Sequence, residues 1–176
     1  MSNTRKFWGK YRGTVLQNID PERRGRLQLM VPDVLSLVPS NWAEACVPLA
    51  GPTGPPMGVY MVPPIGAGVW VEFEQGDPNR PVWVGCRWGA ESDIPNQALM
   101  GNPADPNIVI QSLGQHSITI SDTSPSPSTG GIILTSASGA KIVVNDAGIF
   151  IDNGKGATVE LVGPSVMLNK TALVAT

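Results

Sequence analysis

Two glutamates at i, i+2 spacing, Glu72 and Glu74, are the nearest thing in this sequence to a catalytic pair. Carboxylates on one face of a strand could share general acid and base work between them. The same spacing also arises on the solvent-facing side of a half-buried strand, and that is the preferred reading. The other reactive side chains stand alone. His116 is the single histidine, so the usual nucleophile–base arrangements have nothing to build on. Cys46 and Cys86 are far apart, without CxxC spacing. A reduced protein with both thiols buried in strands is the simplest reading, and a disulfide would require their strands to be neighbours. Asp77 sits in a turn where a carboxylate normally caps backbone N–H groups. Asp146, Asp152 and Asn153 are typical acidic and amide turn residues but do not form a calcium-binding repeat. The expectation is a chain with no catalytic site and no cofactor.

The elements that carry these residues follow from composition and periodicity. The chain has 176 residues, 41% hydrophobic and 15% charged, with 20 Gly and 17 Pro. That Gly and Pro content argues for short strands separated by turns rather than for helices. A net charge of −2 and a pI near 5.3 supply no global basic field to draw in nucleic acid. Arg23, Arg24 and Arg26 form a local basic cluster, read as solvated turn charge. The opening MSNTRKFWGK has no apolar stretch behind it, so no secretory signal is expected and the chain reads as made in the cytoplasm.

Strands are expected over residues 11–16, 26–31, 42–47 and 58–62, followed by a hairpin over 69–74 and 82–88. In the hairpin Val69, Val71 and Phe73 alternate with Trp70, Glu72 and Glu74. Five or six antiparallel strands without helical period suggest a small closed barrel, which removes exposed strand edges. Residues 89–107 lose the alternation and read as a linker.

Beyond residue 107 the texture changes. Apolar pairs recur at Ile118/Ile120, Ile132/Leu134, Ile142/Val144, Ile149/Ile151, Val159/Leu161, Val166/Leu168 and Leu173/Ala175, separated by Gly-rich punctuation. Strand plus tight turn, repeated irregularly, is the pattern of a quasi-one-dimensional β stack. Each buried Ile, Val or Leu contributes roughly 1.5–3 kcal/mol, against roughly 1–2 kcal/mol for each backbone residue ordered. With so few apolar side chains per segment a lone tail is in deficit, so the sequence points to an obligate homo-oligomer that buries these faces between chains.

Residues 10–34, KYRGTVLQNIDPERRGRLQLMVPDV, resemble the opening of the OB domain in phage baseplate assembly protein V and the related VgrG spikes. Gly13, Val15, Asp20, Pro21, Gly25, Arg26, Leu27, Leu29, Val31 and Pro32 carry the pattern. Residues 63–88 continue it through Gly66, Val69, Val71, Phe73, Gly76, Asp77, Pro81 and Gly85. The tail is similar to that family's C-terminal β-helix. The resemblance implies an all-β homotrimer: an OB barrel over residues 1–88, a linker over 89–107, and an intertwined triple-stranded β-helical needle over 108–176. It implies a structural, membrane-puncturing spike in the baseplate of a phage tail, an extracellular injection particle or a type VI apparatus.

Further expectations follow from that likeness. The needle interior is assigned to Ile118, Ile120, Ile132, Leu134, Ile142, Val144, Ile149, Ile151, Val159, Leu161, Val166 and Leu168, held by interchain hydrogen bonding. Trp42, Trp70, Trp83 and Trp88 are candidates for barrel core and for contact with a hub protein or a neighbouring chain. About ten residues precede the barrel in place of the large hub domain of VgrG, which implies a separate hub protein. Leu173 and Val174 are candidates for contact with a tip protein of the PAAR kind, and the target envelope is met on firing. No lysozyme domain occupies residues 89–107, and no H-x-H metal motif is present. Three copies of His116 around a threefold axis would make a weak transition-metal site. The alternative is an OB-fold module that binds single-stranded nucleic acid or oligosaccharide. The residues beside the tryptophans are acidic or neutral, which argues against nucleic acid.

Overall fold

The computed structural model describes residues 5–51, 54–100, 102–122, 130–170 and 173–175. The fold is all-β, and the chain divides into two compact units, Met1–Gly89 and Ala90–Thr176.

The first unit begins with β1 (Tyr11–Gln17), where Gly13 lets the strand lie close against its neighbour. A Cβ there would come 2.7 Å from Val71 Cγ2. β2 (Gln28–Met30) pairs antiparallel with β1 and is followed by a single helical turn, α1 (Pro32–Leu35). β3 (Glu44–Ala45), β4 (Ala50–Gly51) and β5 (Met57–Gly58) are very short. β6 (Gly68–Phe73) and β7 (Pro81–Arg87) form the long hairpin. The main sheet runs in the order β2-β1-β6-β7-β3. Its two outer strands meet: Leu27 N–H donates to Ala43 O at 3.1 Å and Ala43 N–H to Leu27 O at 2.7 Å. The sheet is thereby closed into a small barrel.

Alternation fills the barrel. Val15, Leu27, Leu29, Val31, Ala43, Val69, Val71, Phe73 and Trp83 form one buried cluster. Phe7, Tyr11 and Phe73 close one side of it, with ring centroids 5.6–6.2 Å apart in tilted and edge-on contacts.

Several expectations are corrected here. The strand expected at 58–62 does not form. Met57–Gly58 pairs with Ala50–Gly51 instead, and the residues after it run without a ladder into Pro63-Pro64, which have no N–H to donate. β3 runs parallel, not antiparallel, to β7. Neither cysteine is buried: both thiols are free and exposed. On β7, Trp83 takes the core side and Val82 and Val84 stay half-buried, while Cys86, paired with Val69, sits near the exposed end of the strand. A bulge opposite Trp70/Val71 then shifts the register.

The second unit opens with a short helix, α2 (Asn96–Leu99). Asn107 Nδ2 donates to Gln97 O at 2.8 Å and Met100 O at 3.0 Å, and Thr119 Oγ1 donates to Gln97 Oε1 at 3.1 Å. Part of residues 90–107 is therefore bonded onto the sheet that follows. That sheet holds eight strands in sequence order. They are β8 (Ile108–Gln111), β9 (Ser117–Ser121), β10 (Gly131–Thr135), β11 (Lys141–Asn145), β12 (Gly148–Asp152), β13 (Thr158–Val162), β14 (Ser165–Leu168) and β15 (Leu173–Ala175). Each pairs antiparallel with the next strand of the same chain. The ladder bonds described here are made within one chain, so each inner strand of the sheet has both neighbours from its own chain.

Candidate functional site

The register of the eight-stranded sheet lines up its apolar residues. One row runs Ile110, Ile118, Leu134, Ile142, Ile151, Val159, Leu168 and Leu173, each a cross-strand partner of the next. The parallel row runs Ile108, Ile120, Ile132, Val144, Ile149, Leu161, Val166 and Ala175. Both rows lie on one face because residues two apart on a strand point the same way. From Ile108 to Leu173 the exposed members are 38–63% accessible, whereas Thr119 and Val143 on the other face are 4% and 1% accessible.

A continuous aliphatic face of this length exceeds what an isolated soluble chain normally leaves wet. Its side chains are already partly covered by their cross-strand neighbours. Full burial would add on the order of 1 kcal/mol each, about half of the value for a side chain taken wholly out of water. The face begins one strand earlier than the sequence pairs suggest, because Ile108 and Ile110 belong to the same two rows.

The tight turns keep the rows in register. Asn145 Oδ1 accepts from Ala147 N–H at 2.9 Å and Gly148 N–H at 3.2 Å. Asn153 Oδ1 accepts from Lys155 N–H at 2.8 Å and Ala157 N–H at 3.0 Å, while Asp152 Oδ1 accepts from Gly154 N–H at 2.7 Å. Gly148 is required where it stands: a Cβ there would lie 2.1 Å from Leu161 O.

Other sequence candidates are dispersed. His116 lies in the exposed connection between β8 and β9, its Nδ1 accepting from Ala137 N–H at 3.3 Å. Among the described residues no cluster of three His, Cys, Asp or Glu could hold a metal. Glu72 pairs with Lys10 and Glu74 with Arg80, so each carboxylate has its own cation rather than the other for company. Asp77 caps its turn as expected, accepting from Asn79 N–H at 3.0 Å. Trp83 is in the core, its Nε1 donating to Gly25 O at 3.0 Å. Trp42 and Trp70 are half-buried, with Arg26 stacked 5.8 Å from the Trp42 ring, and Trp88 is exposed. Leu173 is exposed on β15, the outermost strand of the sheet, and Val174 continues that strand.

The pair that sequence reading missed is Asp20–Arg26. Arg26 was expected to be solvated turn charge, but its side chain is only 11% exposed and that of Asp20 2%. The Arg26 guanidinium holds the Asp20 carboxyl well below the usual carboxylate range. Burial opposes this, and N–H donation from Glu22, Arg24 and Arg26 assists it. The signal available was an Asp-Pro turn followed by an arginine at the start of an alternating strand.

A closed small barrel, followed by a stacked sheet whose aliphatic face has no partner among the described residues, defines a class: a small β-barrel joined to an assembly domain. Comparison with known families agrees unit by unit. Residues 11–88 match the type VI secretion system/phage-baseplate injector OB domain, and residues 107–174 match the phage baseplate V C-terminal trimerisation domain. The chain belongs to the phage baseplate V family of injector spike proteins, a family of structural baseplate components. Its trimerisation domain supports a homotrimer associated with a baseplate. No curated protein is significantly similar to the chain. No described helix is long and apolar enough to cross a membrane.

Proposed function

We propose that the chain is the central spike of a contractile injection machine, and that its work is mechanical rather than catalytic. The observation that carries this is the double aliphatic row over eight strands. Three copies facing inward bury these rows in a dry interior, and local opening then costs both apolar contact and ladder bonds. The resulting needle bears axial load when it meets the target envelope. The barrel supplies the docking end. Met57, Tyr60 and Met61 are exposed beyond its short hairpin, an apolar surface suited to a hub protein. At the other end β15 is an edge strand, which suits strand addition by a tip protein.

Sedimentation equilibrium of the purified chain tests this reading. The expected mass at micromolar concentration is three times the 18.5 kDa of one chain. A stable monomer overturns it. Tight, salt-sensitive binding of an oligonucleotide would favour an OB-fold binding module instead.

A further inference from the structure

The two long rims of the stacked sheet carry opposite charge. Successive hairpins of an antiparallel meander alternate between rims. One rim holds the β8–β9, β10–β11 and β12–β13 turns and the turn that begins at Asn169. The other holds the connection leaving β9 at Asp122, the β11–β12 turn and the β13–β14 turn.

The first rim carries Lys155 and Lys170, together with Lys141 and Asp152, which face each other as cross-strand partners. The second rim carries Asp122 and Asp146 and no cation among the described residues. Asp122, Asp146, Lys155 and Lys170 are exposed, and none of the four is in an ion pair with another described residue. Nor does the Asp146 carboxylate serve its own turn, because Asn145 supplies the acceptor there.

Resting on the trimeric reading above, we infer that the cationic rim of one copy zips against the acidic rim of the next, and that Lys155 pairs with Asp146 across this seam. The partner is a second copy of this chain. Rotation about an axis parallel to the stack keeps every turn at its own height. The Asp146 turn joins β11 to β12 and the Lys155 turn joins β12 to β13, so they differ in height by one strand spacing, about 4.8 Å. Turns of one rim therefore fall into the gaps of the other. At the same offset Asp122 meets the β10–β11 turn, which leads into Lys141, while Lys170 meets the uncharged turn at Gly163-Pro164. A ring closed by unlike rims is heterologous and cyclic, and a copy entering upside down would set like charges together.

Paired cysteines test the seam. In a chain carrying Cys46→Ser and Cys86→Ser, Asp146→Cys with Lys155→Cys is expected to give a covalent trimer with oxidised glutathione, read on a non-reducing gel. Asp122→Cys with Lys155→Cys places the thiols three strand spacings apart, roughly 14 Å, and is expected to give none. A trimeric mass by light scattering without the covalent product overturns the seam and leaves the trimer standing; a monomeric mass overturns both. Charge is separated from proximity by Asp146→Lys, expected to weaken the trimer, and by adding Lys155→Glu, expected to restore it. Equal dissociation of the three forms overturns the electrostatic part.

Discussion

Arg26 closes the first turn of the barrel onto Asp20 from inside: its Nη2 lies 2.7 Å from Asp20 Oδ1, with Nε 3.1 Å from the same oxygen. A carboxyl whose folded pKa is depressed adds stability above the ordinary carboxylate range, and that stability is lost as pH falls through the range toward the folded value. Asp20→Asn is expected to lower the barrel's melting temperature by several degrees at neutral pH. It should also flatten the dependence on pH below about 4, the ordinary carboxylate pKa. Thermal melts from neutral to acid pH check both, and an unchanged acid slope would refute the assignment.

The core makes a second prediction. Leu29 is fully buried in the cluster that fills the barrel. Leu29→Ala should cost about 2–5 kcal/mol, combining lost transfer energy with a cavity. Denaturant unfolding followed by tryptophan fluorescence would show it, since Trp83 is in the same cluster.

Gly148 offers a test of the stacked sheet alone. With the positive φ of Gly148 and Leu161 O so close, Gly148→Ala must push β12 and β13 apart. A local loss of about 1–3 kcal/mol is expected, of the size found for overpacking. Hydrogen exchange should quicken over residues 141–162 and remain unchanged in the barrel. Uniform protection throughout would mean that the strand shifts without cost.

Ile142 and Ile151 face one another at mid-height on the aliphatic face. Replacing both with Lys leaves each chain's ladder bonds available but puts charge into the proposed interior. The expected result is a smaller species in solution with the barrel's unfolding transition retained. A trimer of normal stability would place the interior elsewhere.

Much of this was legible because β structure writes its faces into alternate residues. Val69, Val71 and Phe73 proved to be core, and the Ile-x-Ile pairs fell into two continuous rows. What did not show was local geometry set by a partner distant in sequence. Trp83 points inward because Gly25 O awaits its indole N–H, which no alternation rule reveals. Arg26 is buried because Asp20, six residues earlier, needs a counter-charge. The 59–62 stretch reads as a strand by residue type alone, and only the pairing of Met57–Gly58 with Ala50–Gly51 shows where its ladder ends. Rim charge escaped for a different reason: it depends on which side each hairpin turns, a matter of counting strands rather than of residue type.

That count imposes a parity rule on length. Adding or deleting a whole hairpin would change the needle by two strand spacings, about 9.5 Å, and leave every later turn on its original side. Adding a single strand would send each later turn to the opposite side, mixing acidic and cationic turns along both edges. With the seam proposed above, a stacked sheet of this construction can therefore be lengthened only in even steps if neighbouring copies are to keep recognising one another.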